Sequence, residues 1–157
     1  MELRLGDMRE LALDEPAGLV YCPFRALLHL PTWADKRVAF ERVAAALRPG
    51  GLFAWNAFVF DPFTAARDHG AARPRDAGRI WEYVEHTPAE NRVDVTSYVG
   101  GLGAPGRTVT LWWATRSEWE GLIESAGLEI EALYGWFDGR PFDERSSEFV
   151  WVARKPA

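Results

Sequence analysis

Two apolar runs constrain this chain more than anything else in it: GLVYCPF at 18–24 and LFAWNAFVF at 52–60. Each is bounded by turn-forming residues, the pattern of a strand buried on both faces. Between them Phe40, Val43, Ala44 and Leu47 recur at i, i+3, i+4 and i+7, which puts them on one face of a helix. Thr32 is placed to cap the start of that helix and Pro49-Gly50-Gly51 to stop it. Strand, helix, strand in that order implies a right-handed crossover and a parallel pair.

The rest of the chain alternates between two patterns. Residues 3–5 read as a short strand closed by Gly6-Asp7. From Asp61 to Gly78 no period persists, and the stretch reads as a mobile segment or a short helix. Residues 79–87 and 92–99 alternate as hairpin strands around TPAEN, and 107–114 form a third strand. Ser117 to Glu120 reads as a capping box with Ser117 at the N-cap, opening a helix that runs to Ala126 and ends at Gly127. Strands at 128–134 and 148–154 follow. The whole reads as one domain of 157 residues, with 61–115 as a lid and antiparallel insertion.

Composition narrows the function. A net charge of −5 and scattered basic residues argue against a nucleic-acid surface. No apolar stretch approaches the ~20 residues of a membrane span. One cysteine permits no internal disulfide, which suits a reducing cytoplasm. Six of the eight tryptophans lie between Trp81 and Trp151, which means either a ligand pocket or a thick core.

Gly101 to Gly106 matches G-x-G-x-x-G letter for letter. A dinucleotide site needs a helix N-terminus after that loop. RTVTLWWA follows instead, so the motif reads as a hairpin loop. The informative set is GDMREL, GLVYCPFRALLHL, LRPGGLFAWNAF and TRSEWEGLIESAGLEIEALYGWFDGRPFDERSSEFVWVARKP, in that order. Together they resemble the class I S-adenosylmethionine-dependent methyltransferases over almost the whole chain. AGLEIEALYG with a later WVARKP is similar to one bacterial branch, in which antiparallel strands are inserted on the substrate side.

That family opens with a strand, a Gly-rich loop, a helix and a second strand ending in an acid, and none of these is in the sequence. The resemblance therefore implies an α/β fold, namely an incomplete Rossmann-like methyltransferase sheet with an inserted antiparallel β segment. It implies S-adenosyl-L-methionine as cofactor, with about half of the usual cofactor site absent. Three functions follow: a methyltransferase completed by another chain, a non-catalytic binding or assembly module, or the product of a longer gene cut short. The acceptor is a small molecule or a protein. In the family the strand matching 18–24 lies beside the absent first strand, so GLVYCPF is expected at a bare sheet edge. A homodimer through residues 1–30 is the expected cover.

The resemblance also assigns residues. Asp7 matches the acid that accepts a hydrogen bond from the adenine amino group, and Met8 its neighbour on the ring; the plain alternative is that Asp7 caps a turn. Pro23, Phe24 and Arg25 lie past the end of the first long strand, where open α/β sheets place ligands. Phe24 packs on the cofactor or is a core ring. His29 is the candidate general base, or else a solvated or capping residue. Cys22 reads as a small buried hydrophobe. Asn56, Asp61 and His69 follow the second long strand. Tyr98, Trp112, Trp113, Tyr134 and Trp136 are candidates for the acceptor pocket, with Trp112 and Trp113 facing opposite ways. No His, Cys or Asp cluster has metal-ligand spacing.

Overall fold

The computed structural model describes residues 3–157. Residues 1–2, which open the segment expected to mediate dimerisation, lie outside the described residues. The chain forms two compact units: residues up to Val59 together with Ala114–Ala157, and Phe60–Trp113.

In the first unit the strand–helix–strand reading holds. Strand β1 (Ala17–Cys22) leads through a 3-10 turn, Ala26–His29, to helix α1 (Trp33–Ala46). Thr32 Oγ1 accepts the Asp35 N–H at 3.0 Å, while the Asp35 carboxylate accepts the Thr32 N–H at 3.2 Å. This reciprocal cap satisfies two of the amides that a helix start leaves bare. Strand β2 (Leu47–Phe58) follows directly and runs parallel to β1, with Leu19 opposite Leu52 and Cys22 opposite Trp55. Pro49-Gly50-Gly51 thus lies within the start of β2. Gly51 is obligatory there, because a Cβ would sit 2.8 Å from the Arg48 carbonyl oxygen and 3.1 Å from that of Ala17.

Helix α3 (Arg116–Ser125) leads to β7 (Glu129–Tyr134) and β8 (Glu148–Arg154). Its N-cap is Thr115, not Ser117: Thr115 Oγ1 accepts the Glu118 N–H, and Glu118 answers on the Thr115 N–H at 2.7 Å. Both pairs satisfy the same local rule. The register adopted buries Trp119, Leu122 and Ile123. The sheet order is β1-β2-β8-β7, with β8 antiparallel to both neighbours.

The two faces of this sheet are unequal. Val20, Cys22, Phe53, Trp55, Phe149 and Trp151 share one face, as their register requires. Both α-helices of the unit pack there. Phe40 of α1 meets the Phe53 and Trp55 rings edge-on at 5.2 and 5.0 Å, and Trp119 of α3 lies 6.1 Å from Trp55. Three of the tryptophans are thus core. The opposite face carries Leu19 and Tyr21, 58% and 67% exposed. This corrects the expectation that 18–24 is buried on both sides. The strand expected at 3–5 is also absent: Leu3–Asp7 is irregular and a 3-10 turn, Met8–Glu10, follows. Three residues without a neighbouring strand have no ladder to join.

The second unit is an antiparallel sheet in the order β3-β4-β5-β6, with β3 Ala71–Arg75, β4 Ile80–Thr87, β5 Arg92–Val99 and β6 Gly106–Trp112. The β5–β6 connection contains Gly101–Pro105, so the glycine-rich match is a hairpin loop. Asp61 caps a helix α2 (Pro62–Asp68) by accepting the Phe63 and Thr64 amides. The stretch 61–78 therefore contains the helix that was one of its two readings, and beyond it β3, an unexpected edge strand. Pro74 suits an edge, where no ladder donor is needed.

Candidate functional site at the carboxyl edge of the parallel strands

Strands β1 and β2 end together, and β8 begins at the same edge, since Glu148 pairs with Phe58. The residues after β1 turn sharply: Phe24 and Arg25 both adopt left-handed backbone, φ 56° and 59°. Leu27 and Leu28 of the following 3-10 turn are fully buried and anchor it. Phe24 is 93% exposed, so it is not a core ring. Arg25 turns back over the edge. It donates through Nε at 3.1 Å and Nη2 at 2.6 Å to the two oxygens of Glu148. Asn56 Nδ2 donates to the same carboxylate at 2.6 Å. Glu148 is 1% exposed. Such a carboxylate needs this paired, hydrogen-bonded surrounding to be tolerated.

Phe24, Arg25 and Asn56 are thereby brought to one place. Glu148 escaped the sequence reading, although an acid opening the otherwise apolar strand EFVWVAR is a usable signal. His29 ends the 3-10 turn and is exposed. Burial pushes the Cys22 thiol above its usual range, which makes it a poor nucleophile.

Asp7 is already engaged. Its carboxylate accepts the Arg9 N–H at 2.8 Å and the Arg9 guanidinium at 2.7 Å, and that hydrogen bonding lowers its pKa to about 2. Arg9 Nη1 also reaches Asp35 at 2.8 Å, tying the N-terminal segment to the cap of α1. Met8 is half-buried in the same turn and Pro23 is exposed. Trp136 lies in the β7–β8 connection, with the Arg140 guanidinium 5.9 Å from its ring centroid.

The other candidates belong to the second unit. Trp113 is buried, stacked on Phe60 at 4.0 Å with the rings 6° from parallel. Tyr98 faces the same side of its sheet as Trp81. Asp61 is committed to its cap. His69 Nδ1 accepts the His86 N–H at 3.0 Å. Burial, then the nearby His69, push His86 below its usual range. Among the described residues no group of His, Cys, Asp and Glu is arranged to hold a metal ion, and no helix is long and apolar enough to cross a membrane.

No family model matches the chain. Its fold is found again in the CcbJ methyltransferase of Streptomyces caelestis, with a TM-score of 0.81 and 23% identity over 98% of this chain and 63% of that one. The fold is that of the class I S-adenosylmethionine-dependent methyltransferases. CalS10 of Micromonospora echinaspora, an amino pentose methyltransferase solved with S-adenosylmethionine bound, shares this methyltransferase fold at a TM-score of 0.67 and 24% identity, over 96% of this chain and 63% of that one. In sequence the chain is 28% identical over 148 residues to the dTDP-3-amino-3,6-dideoxy-alpha-D-glucopyranose N,N-dimethyltransferase of Streptomyces fradiae. That match covers 88% of this chain and 57% of the relative. The chain thus spans less than two thirds of the length of each of these methyltransferases.

Proposed function

We propose that the chain contributes one part of a methyltransferase site that uses S-adenosyl-L-methionine to methylate the amine of a small amino-sugar acceptor, and that further polypeptide completes the cofactor site. The observation that carries this reading is the carboxyl-edge site on a fold shared with an amino pentose methyltransferase, in a chain similar in sequence to an amino-sugar N,N-dimethyltransferase. When bound, the cofactor supplies an electrophilic methyl group. The chain's own residues have the remaining tasks. Phe24 offers an open ring face to a ligand above β1 and β2. His29, exposed at the end of the following 3-10 turn, would be the group that takes a proton from an acceptor ammonium. Trp136, in the β7–β8 connection of the first unit, is the aromatic candidate for holding the sugar.

The residues fit an adenosyl group in part. Phe24 is free to pack, but Asp7 can read an adenine amine only if Arg9 shares or releases its carboxylate. This favours a second reading, a non-catalytic binding module of the same ancestry. Calorimetric titration with S-adenosylmethionine tests the choice. The chain alone is expected to bind more weakly than the low micromolar range, since each ~1.4 kcal/mol of absent contact weakens affinity about tenfold. Low-micromolar dissociation by the purified chain would show a complete site and overturn the proposal. An undiminished affinity in Asp7→Ala would remove Asp7 from that site.

We also propose a homodimer through residues 1–30, in a cytoplasmic setting that suits a chain with one cysteine. Strand β1 is a sheet edge; Leu19 and Tyr21 on it are exposed, as are Leu3 and Leu5 earlier in the chain. Bare apolar edges invite pairing, and a second copy offers the same edge by two-fold symmetry. The interface should exceed roughly 2,000 Å² in total. Light scattering at micromolar concentration should give twice the chain mass, and a charge on the exposed face of β1, Leu19→Lys, should lower it. A monomer would refute this assembly.

A further inference from the structure

Two consecutive non-glycine residues in the left-handed region cost on the order of 1–3 kcal/mol each and persist only where the surroundings over-determine them. Phe24 and Arg25 are such a pair. The surroundings are three side chains. Arg25 grips both oxygens of Glu148, Asn56 Nδ2 donates to Oε1 of the same carboxylate, and Asn56 Oδ1 lies 3.4 Å from the Arg25 backbone N–H. The Phe58 ring lies 5.4 Å from the Arg25 guanidinium. The clamp joins the tip of the edge strand β1 to the start of the last strand β8. Interior ion pairs of this kind add little net stability over a well-packed apolar set. What this one achieves is geometric: a sharp turn that leaves Phe24 outside, burying almost nothing.

We propose that Glu148, Arg25 and Asn56 are positioning residues that fix the strained tip and so hold the Phe24 ring out as a contact for the ligand bound above β1 and β2. Only the identity of that ligand as an adenosyl compound rests on the methyltransferase reading. Asn56 then acts on the ligand through Arg25 and Glu148, not by touching the acceptor.

The test uses the full chain and two readouts. The first is amide exchange at Ala26 and Leu28, whose N–H groups close the tip on the Pro23 and Arg25 carbonyls. Glu148→Gln should speed exchange there about tenfold or more while amides of α1 and α3 keep their protection. Arg25→Lys keeps the charge but loses the two-pronged donor, and because Arg25 is part-exposed it tests the clamp in a variant that folds. The second readout is saturation-transfer NMR with S-adenosylhomocysteine, which registers weak binding. Transfer to the adenine protons should fall in Phe24→Ala, and about as far in Arg25→Lys and Glu148→Gln, which keep the ring. The Phe24→Ala/Glu148→Gln double variant should be no worse than Phe24→Ala. Unmoved tip amides in both clamp variants would overturn the clamp. Loosened amides with full transfer would overturn its role in binding. Loosened amides with no transfer even in the unaltered chain would support the clamp and overturn Phe24 as a contact for an adenosyl ligand in this chain by itself.

Discussion

Lys36 gives this protein an unusual dependence of stability on pH. It sits on α1, 3% exposed, with Nζ donating to the Leu30 carbonyl at 2.5 Å. Burial pushes its pKa from 10.5 down to about 8, against the opposing pull of Glu118 and Asp35. The unfolded chain therefore holds the proton more tightly than the folded one. Below about pH 8 both states are protonated and the full cost of burying the charge is present. As pH rises from about 8 towards 10.5 the folded state releases the proton first, so stability rises. With one pKa unit worth 1.36 kcal/mol, the gain between about pH 7 and 9.5 is on the order of 2 kcal/mol. Urea denaturation of the unaltered chain and of Lys36→Met across that range isolates the effect, because other alkaline titrations are common to both. The unaltered chain should gain about 2 kcal/mol relative to Lys36→Met. Parallel pH profiles would refute the reasoning and show that the ammonium is solvated in the folded state.

Two further predictions rest on packing and capping. Gly51→Ala should cost about 2 kcal/mol or more in the same assay, because the new Cβ meets backbone oxygens that cannot move aside; an unchanged midpoint would mean that β1 and β2 separate freely at Ala17. Arg9→Met should release the N-terminal segment from α1, seen as rapid amide exchange at Glu10, whose N–H bonds to Asp7, with α1 itself still protected. Protection retained at Glu10 would show that the segment is held by other contacts.

Short-range chemistry made much of this fold legible. Thr32 and Asp35 cap each other across three positions, so α1 was readable where it stands. The Thr115 and Ser117 pairs show the limit of that logic. Each has an acid three residues on, and only the burial of Trp119 decides between them. The edge strand Ala71–Arg75 was hidden because AARPR has little intrinsic strand preference and owes its form to β4. At the site, Phe24 and Arg25 were visible as residues past a strand end. Their meaning was not, because it depends on Glu148, more than a hundred positions later. The one-sided burial of β1 was equally out of reach, since apolar composition does not say which face a helix will cover.

The place of the last strand has a consequence for biosynthesis. Strand β8 is not at the rim of its sheet but between β2 and β7, so β2 has only β1 for company until residues 148–154 exist. Ninety positions separate Phe58 from Glu148. At a translation rate of ~5–20 residues per second, LFAWNAF waits about 5–20 s with one edge unpaired. For that interval the nascent chain presents an apolar strand to anything that can pair with it. Yield in the cell should then be governed by how well holding factors guard this strand on the ribosome, more than by the stability of the finished fold.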